Sequence, residues 1–311
     1  MAQISGVDIA VALYEETLFG VDPGSPSGTK AYFSSLNVKA AQESIDNPII
    51  SGGRGVPRPG RGNIDVSGAF ATTVAPGSHP FWLKQILGAP TGSGTLTYVP
   101  KALPTSFIIE KDYTSKLASK VERFNGCRVK SASLMLNQSG YIDLSVDVLG
   151  KRYGIYTAPL DATLTDPTHE GWTGYQGIVK LDGTQIGGVL GATLSIDNEM
   201  DGSLYAFPAS GETAGERFSL PEGRAKIGGS IDMVFQDFTM VDLAQAGDEV
   251  SLEWIYTNAA GDALSILIDH AEIPLTSPAI ETRSGMKVQY NFSAFSSGSD
   301  MGLKVVYTPH A

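Results

Sequence analysis

The chain has 311 residues, of which 42% are hydrophobic and only 18% charged, with 36 glycines, one cysteine and a net charge of −11. That is enough apolar material for two cores, and the acidic balance excludes tight non-specific phosphate binding, which needs clustered Lys and Arg. Cys127 alone permits no intrachain disulfide. The charge is unevenly divided. Residues 1–160 carry 15 Lys and Arg against 12 Asp and Glu, a net of +3, whereas residues 161–311 carry 7 against 21, a net of −14. Two unlike halves favour head-to-tail contact between copies. The first residues lack the basic and apolar regions of a signal peptide, and no run reaches the roughly 18 apolar residues of a membrane helix. A chain made soluble in a cytoplasm and left unmodified, with no membrane contact, is expected.

Taken in chain order, residues 1–30 read as an extended arm whose few apolar residues need a neighbour to cover them. Strands are predicted at 35–44, 63–74 and 105–111 from their apolar and polar alternation. Between 44 and 63 lies a long loop, 47–62, carrying Arg54, Arg58 and Arg61 among glycines and prolines; loops of that length inside compact domains are usually functional or mobile. Pro80 near its start and Gly88 past its end delimit a short helix over 80–87. Leu134-Met135-Leu136 and residues 141–149 form a hairpin turned at Gly140. Residues 156–176 read as a linker. Further strands follow at 177–182, 187–197, 225–236, 250–257, 263–270 and 285–295, with a second helix over 238–246 in which Thr239 is the candidate cap and Gly247 the stop. Residues 296–311 are left as a tail.

The order strand, loop, Gly-Arg strand, short helix and further strands occurs twice. Glu43-Ser44-Ile45-Asp46-Asn47 echoes Leu194-Ser195-Ile196-Asp197-Asn198, and Gly60-Arg61-Gly62-Asn63-Ile64 echoes Gly223-Arg224-Ala225-Lys226-Ile227. The expected fold is therefore mainly β, with two tandem sandwich or barrel domains, 31–155 and 177–295, each holding one short helix.

Chemistry is sparse. His79, His169, His270 and His310 are scattered, and one cysteine gives no zinc set. Cys127 reads as a small buried hydrophobe. Neither a nucleophile elbow nor a phosphate loop occurs. The alternating Asp197, Glu199 and Asp201 lack the remainder of a calcium loop and read as an acidic turn. No enzyme, cofactor or metal is expected. The arginines of the 47–62 loop lack interleaved aromatics for base stacking, which favours a protein contact over nucleic acid.

Several phrases together resemble the tail tube proteins of long-tailed bacteriophages: Glu16-Thr17-Leu18-Phe19-Gly20, the strand from Ser35-Leu36 to Glu43-Ser44-Ile45, and Asp65-Val66-Ser67-Gly68. The run from Asp182-Gly183-Thr184 to Leu194-Ser195-Ile196-Asp197-Asn198, and Gly229-Ser230-Ile231-Asp232, add to it. The likeness covers most of residues 10–295. It implies a structural virion protein, made in the host cytoplasm, whose strands join those of neighbours into a ring-shaped β-barrel. Stacked rings would form a tube that holds a tape-measure protein, meets a tail terminator and passes genomic DNA without specific binding. A doubled chain would close a pseudo-six-fold ring with three copies, the alternative being six. On this reading the polar face of four strands lines the lumen: Asn37, Lys39, Glu43, Asp65, Ser67, Thr193, Ser195, Asp197, Ser230, Asp232 and Gln236. Arg54, Arg58 and Arg61 would reach the adjacent ring. The competing readings are a tail terminator or secretion-tube protein of the same fold, or a β-sandwich adhesin or carbohydrate-binding module. The last would need an aromatic platform, whereas Trp82, Trp172 and Trp254 are far apart and read as core or linker residues.

Overall fold

A computed structural model describes residues 4–49, 53–208, 213–280, 285–298 and 301–310. In the first half the strands are β1 (Ala10–Glu16), β2 (Thr29–Lys30), β3 (Ser35–Leu36), β4 (Lys39–Ile45) and β5 (Gly60–Thr73). Helix α1 (His79–Leu87) follows, then β6 (Leu96–Tyr98), β7 (Ser106–Asp112), β8 (Val121–Asn137), β9 (Asp143–Gly150) and β10 (Arg152–Tyr156). The second half comprises β11 (Gly177–Leu181), β12 (Thr184–Ile186), β13 (Val189–Asp197), β14 (Lys226–Val234) and helix α2 (Thr239–Ala246). It ends with β15 (Val250–Thr257), β16 (Ala263–Glu272), β17 (Lys287–Ala294) and β18 (Lys304–Thr308). The fold is mainly β with two short helices, as the alternation predicts.

Both halves follow one pairing scheme, antiparallel throughout. In the first, β2–β1–β7–β8–β9–β5–β4 are joined in that order, with β10 also on β8. In the second, β12–β11–β15–β16–β17–β14–β13 repeat it, with β18 on β16. The correspondence extends to single residues. A register shift falls between Phe107 and Ile109 of β7, opposite Cys127 and Phe124. Its counterpart falls between Val250 and Leu252 of β15, opposite Ala271 and Ile268. Following the ladders outward from that shared bulge equates Gly150 with Ala294, Val66 with Ile227, Ala40 with Ile196 and Asn37 with Thr193. The close contacts agree: a Cβ on Gly68 would meet the Asn37 carbonyl oxygen at 2.6 Å, and one on its counterpart Gly229 would meet that of Thr193 at 1.9 Å.

The helices close the cores. In α1, Pro80 sits in the first turn and Gly88 ends the helix at φ +103°, while Trp82, Leu83, Ile86 and Leu87 are buried. Trp82 packs on Phe70, Phe81 and Phe107, and burial of a side chain that size contributes about 3 kcal/mol. In α2 the cap position is held by Phe238, not Thr239, and the Asp237 carboxylate accepts from the Thr239 N–H at 2.9 Å. Trp172 and Trp254 are buried too, and so is Cys127.

Three boundaries shift from the sequence reading. The extended-arm reading does not hold for residues 10–16, which form a core strand on β7 with Val11, Ala12, Leu13 and Tyr14 buried. Stretch 156–176 is packed and does not behave as a loose linker. Leu160 and Leu164 cover Tyr14 and Ile108, and Trp172 donates from its indole N–H to the Asp262 carbonyl at 3.0 Å. Within the supposed tail, β18 pairs with β16 and β6, with Leu303 and Val305 buried.

Candidate assembly surface

The two halves join edge to edge. The C-terminal part of β8 pairs with β9 on one side and with β13 on the other, from Gly191 opposite Asn137 to Asp197 opposite Ser131. One sheet thus runs β4–β5–β9–β8–β13–β14–β17 across the whole chain. Residues of one pleat face follow in cross-strand rows. One row is Ala71, Ser145, Ser133, Ser195, Gly228 and Ser293; the next is Thr73, Asp143, Met135, Thr193, Ser230 and Asn291. A third runs Ala69, Asp147, Ser131, Asp197 and Lys226. The opposite face carries Phe70, Val146, Leu134, Leu194 and Ile231, all buried.

This face gathers most of the residues singled out by alternation. Lys39 lies opposite Ser67 at its near end, Asp65 follows opposite Ala41, and Asp232 lies opposite Gly191 and Gln289. Asn37 precedes β4 and hydrogen-bonds the backbone of Ala69. Glu43 sits in the bulge between Gln42 and Ser44, and Gln236 is exposed just past β14. The sequence reading missed the contribution of β8, β9 and β17, although Asp143, Ser145 and Asp147 alternate as cleanly as any strand it used. Apart from Met135, Lys39 and Lys226 most of these side chains are short, and several satisfy one another: Ser131 donates to Asp147 at 2.9 Å, Ser67 to Asp65 at 2.6 Å and Gln289 to Asp232 at 2.9 Å.

At one end of the face the loop between β13 and β14 folds across the joint. Arg217, 4% exposed, donates from Nη1 to the carbonyls of Val66 at 2.8 Å and Gly150 at 2.7 Å, and from Nε to that of Gly202 at 2.8 Å. It also pairs with Asp65, which is therefore engaged by the loop. Arg128 pairs with Glu222, and the Asn198 amide donates to the carbonyls of Val129 at 3.1 Å and Ile86 at 3.3 Å. Among the described residues of the corresponding loop of the first half, between β4 and β5, none finds such a seat: Arg54, Arg58 and Arg61 are exposed, as are Ile49 and Val56.

Below β1 the early Glu16 phrase acts as a structural anchor. Glu16 is 5% exposed and accepts from the N–H groups of Gly20 at 2.9 Å and Gly126 at 3.1 Å and from the Asn125 amide at 3.3 Å, with Ser106 also donating. Burial nonetheless raises its pKa. The acidic turn behaves likewise: Asp197 accepts from the Glu199 N–H and Asp201 from the Ser203 N–H, each at 2.9 Å. Among the described residues no His, Cys, Asp and Glu group could hold a metal.

A family model described as phage tail tube protein matches residues 6–294. The chain belongs to the phage tail tube family. Comparison with curated proteins finds no match. As a tail tube protein it is a structural component of the virion tail, and the phrases that carry the resemblance lie at the end of β1, on β3 to β5, and from the turn before β12 to β14. No helix among the described residues is long and apolar enough to cross a membrane.

Proposed function

We propose that this chain self-assembles into stacked rings forming the phage tail tube, with three copies per ring and the small polar sheet face lining a lumen through which genomic DNA passes during ejection. The observation that carries this reading is the β8–β13 ladder. It joins two copies of one pairing scheme side by side, so each chain supplies two successive positions of a ring and three chains supply six. The cross-strand rows fit a conduit: short hydroxyl, amide and carboxylate groups present few cations for phosphate to grip, and Asp143, Asp147, Asp197 and Asp232 repel it. A tape-measure protein and a tail terminator are the expected partners, and a structural role, without catalysis, accords with the family. Electron microscopy of the purified chain tests the assembly: tubes or stacked rings support it, and particles that stay monomeric at every concentration overturn it.

A further inference from the structure

The internal joint has two parts, and each part has an unmatched counterpart elsewhere in the chain. The first part is an edge. β13 is covered by β8, with Leu194 and Ile196 buried, whereas its counterpart β4 pairs, among the described residues, on one side only and leaves Ile45 51% exposed. The stretch that corresponds to Val129–Asn137 of β8, less its bulged Lys130, is residues 273–280, just beyond β16. No ladder pairs that stretch among the described residues, and it exposes Leu275 and Ile280. Pro274 and Pro278 stand an even number of residues apart, so in an extended chain their missing N–H groups fall on one edge and leave the other its donors.

The second part is a seat. Arg217 is held against Val66, Gly150, Lys151 and Asp65. The ladder counterparts of those residues are Ile227, Ala294, Phe295 and Lys226, and all four line an open cleft of about 730 Å³. In the first half the segment equivalent to the β13–β14 loop is the β4–β5 loop. Counting back nine residues from Lys226 gives Arg217; the same count from its counterpart Asp65 gives Val56, which is 92% exposed.

We infer that the contact between chains repeats the contact within the chain: β4 of one copy adds antiparallel to residues 273–280 of the next, with Ala40 opposite 275–276, while its β4–β5 loop seats Val56 and Ile49 in the next copy's cleft beside Ile227 and Phe295. This rests on the ring reading and specifies its joint. Both unmatched features lie on the sides that the internal joint uses, so one placement of a second copy satisfies both. Lys101, Arg224 and Lys226 outnumber Glu222 around the cleft, so the loop's arginines gain nothing there and the seating is apolar. It also turns the loop sideways within the ring, where the sequence reading sent it to the adjacent ring.

The test uses the full chain. Ile49→Asp with Val56→Asp places carboxylates in an apolar seat and is expected to leave circular dichroism unchanged while lowering tube yield at least tenfold; Arg54→Ser with Arg58→Ser is expected to keep tubes. In a second variant, Val56→Cys and Ala102→Cys treated with a short bismaleimide should give a ladder of covalently joined chains from assembled tubes, Cys127 being buried and unreactive. That variant decides alone if the aspartates prevent folding. Tubes at wild-type yield from the aspartate variant, or wild-type-like tubes that give no ladder, overturn this joint while leaving the tube reading intact. A wild-type chain that forms neither rings nor tubes overturns both.

Discussion

The guanidinium of Arg217 donates to the carbonyl oxygen of Gly150 at 2.7 Å, a bond from the second half of the chain into the end of a strand in the first. Replacing Arg217 with Ala removes that bond and those to Val66 and Gly202, and leaves Asp65 without its guanidinium partner. The expected loss is about 3 kcal/mol, read as a lowered urea midpoint. Arg217→Lys should recover little of it, because an ammonium cannot span three carbonyls and a carboxylate from one planar fork.

Gly229 tests the equivalence of the halves. A methyl group there would lie 1.9 Å from the Thr193 carbonyl oxygen and 2.7 Å from the Phe292 ring, so the ladder must open to admit it. Gly229→Ala is expected to cost about 3 kcal/mol. Gly68→Ala, with φ +150° and a contact of 2.6 Å to Asn37, should cost a similar amount. A neutral result at either position would break the correspondence.

His79 sets part of the acid stability of the unassembled chain. It is 1% exposed, hydrogen-bonded through Nδ1 to the Ala75 carbonyl at 3.1 Å, and burial lowers its pKa from 6.5 to about 4. The unfolded chain therefore binds the proton first. The contribution of neutral His79 is complete above pH 6.5 and declines as pH falls toward 4, by about 3 kcal/mol over that window. His79→Asn should flatten this limb in unfolding titrations.

Reversing the charge of the sheet face should change what the tube holds. Tubes assembled with Asp147, Asp197 and Asp232 each changed to Lys are expected to retain duplex DNA at low salt and release it as salt rises, while wild-type tubes retain none. Equal retention by both would argue that the face does not meet the lumen.

Most strands were legible because one face is buried and the other polar: Asp143 to Val148 alternates without a break, and Gly140 marks its turn. β1 was not legible. Val11 and Leu13 enter the main core while Ala12 and Tyr14 pack on Leu160 and Leu164, so burial on both faces erases the alternation and leaves a short apolar run that resembles an arm. The repeat was visible in order but not in register. Phrase matching aligned Ile45 with Ile196 and Ile64 with Ile227, whereas the ladders align Ala40 with Ile196 and Val66 with Ile227. The Gly-Arg phrases lie beside loops of unequal length, and loops absorb insertions that ladders cannot. Of the assembly surface, the polar residues were readable from sequence, but the seat of Arg217 and its open counterpart were not, since both depend on which strand ends come together.

If one chain fills two ring positions, the mass of a single ring and the rotational symmetry of tube cross-sections must both show it. Three copies of the 32.8 kDa chain give a ring of about 98 kDa, and averaged cross-sections should show three-fold symmetry with six similar lobes. Six copies per ring, with exact six-fold cross-sections and twice that mass, would contradict it.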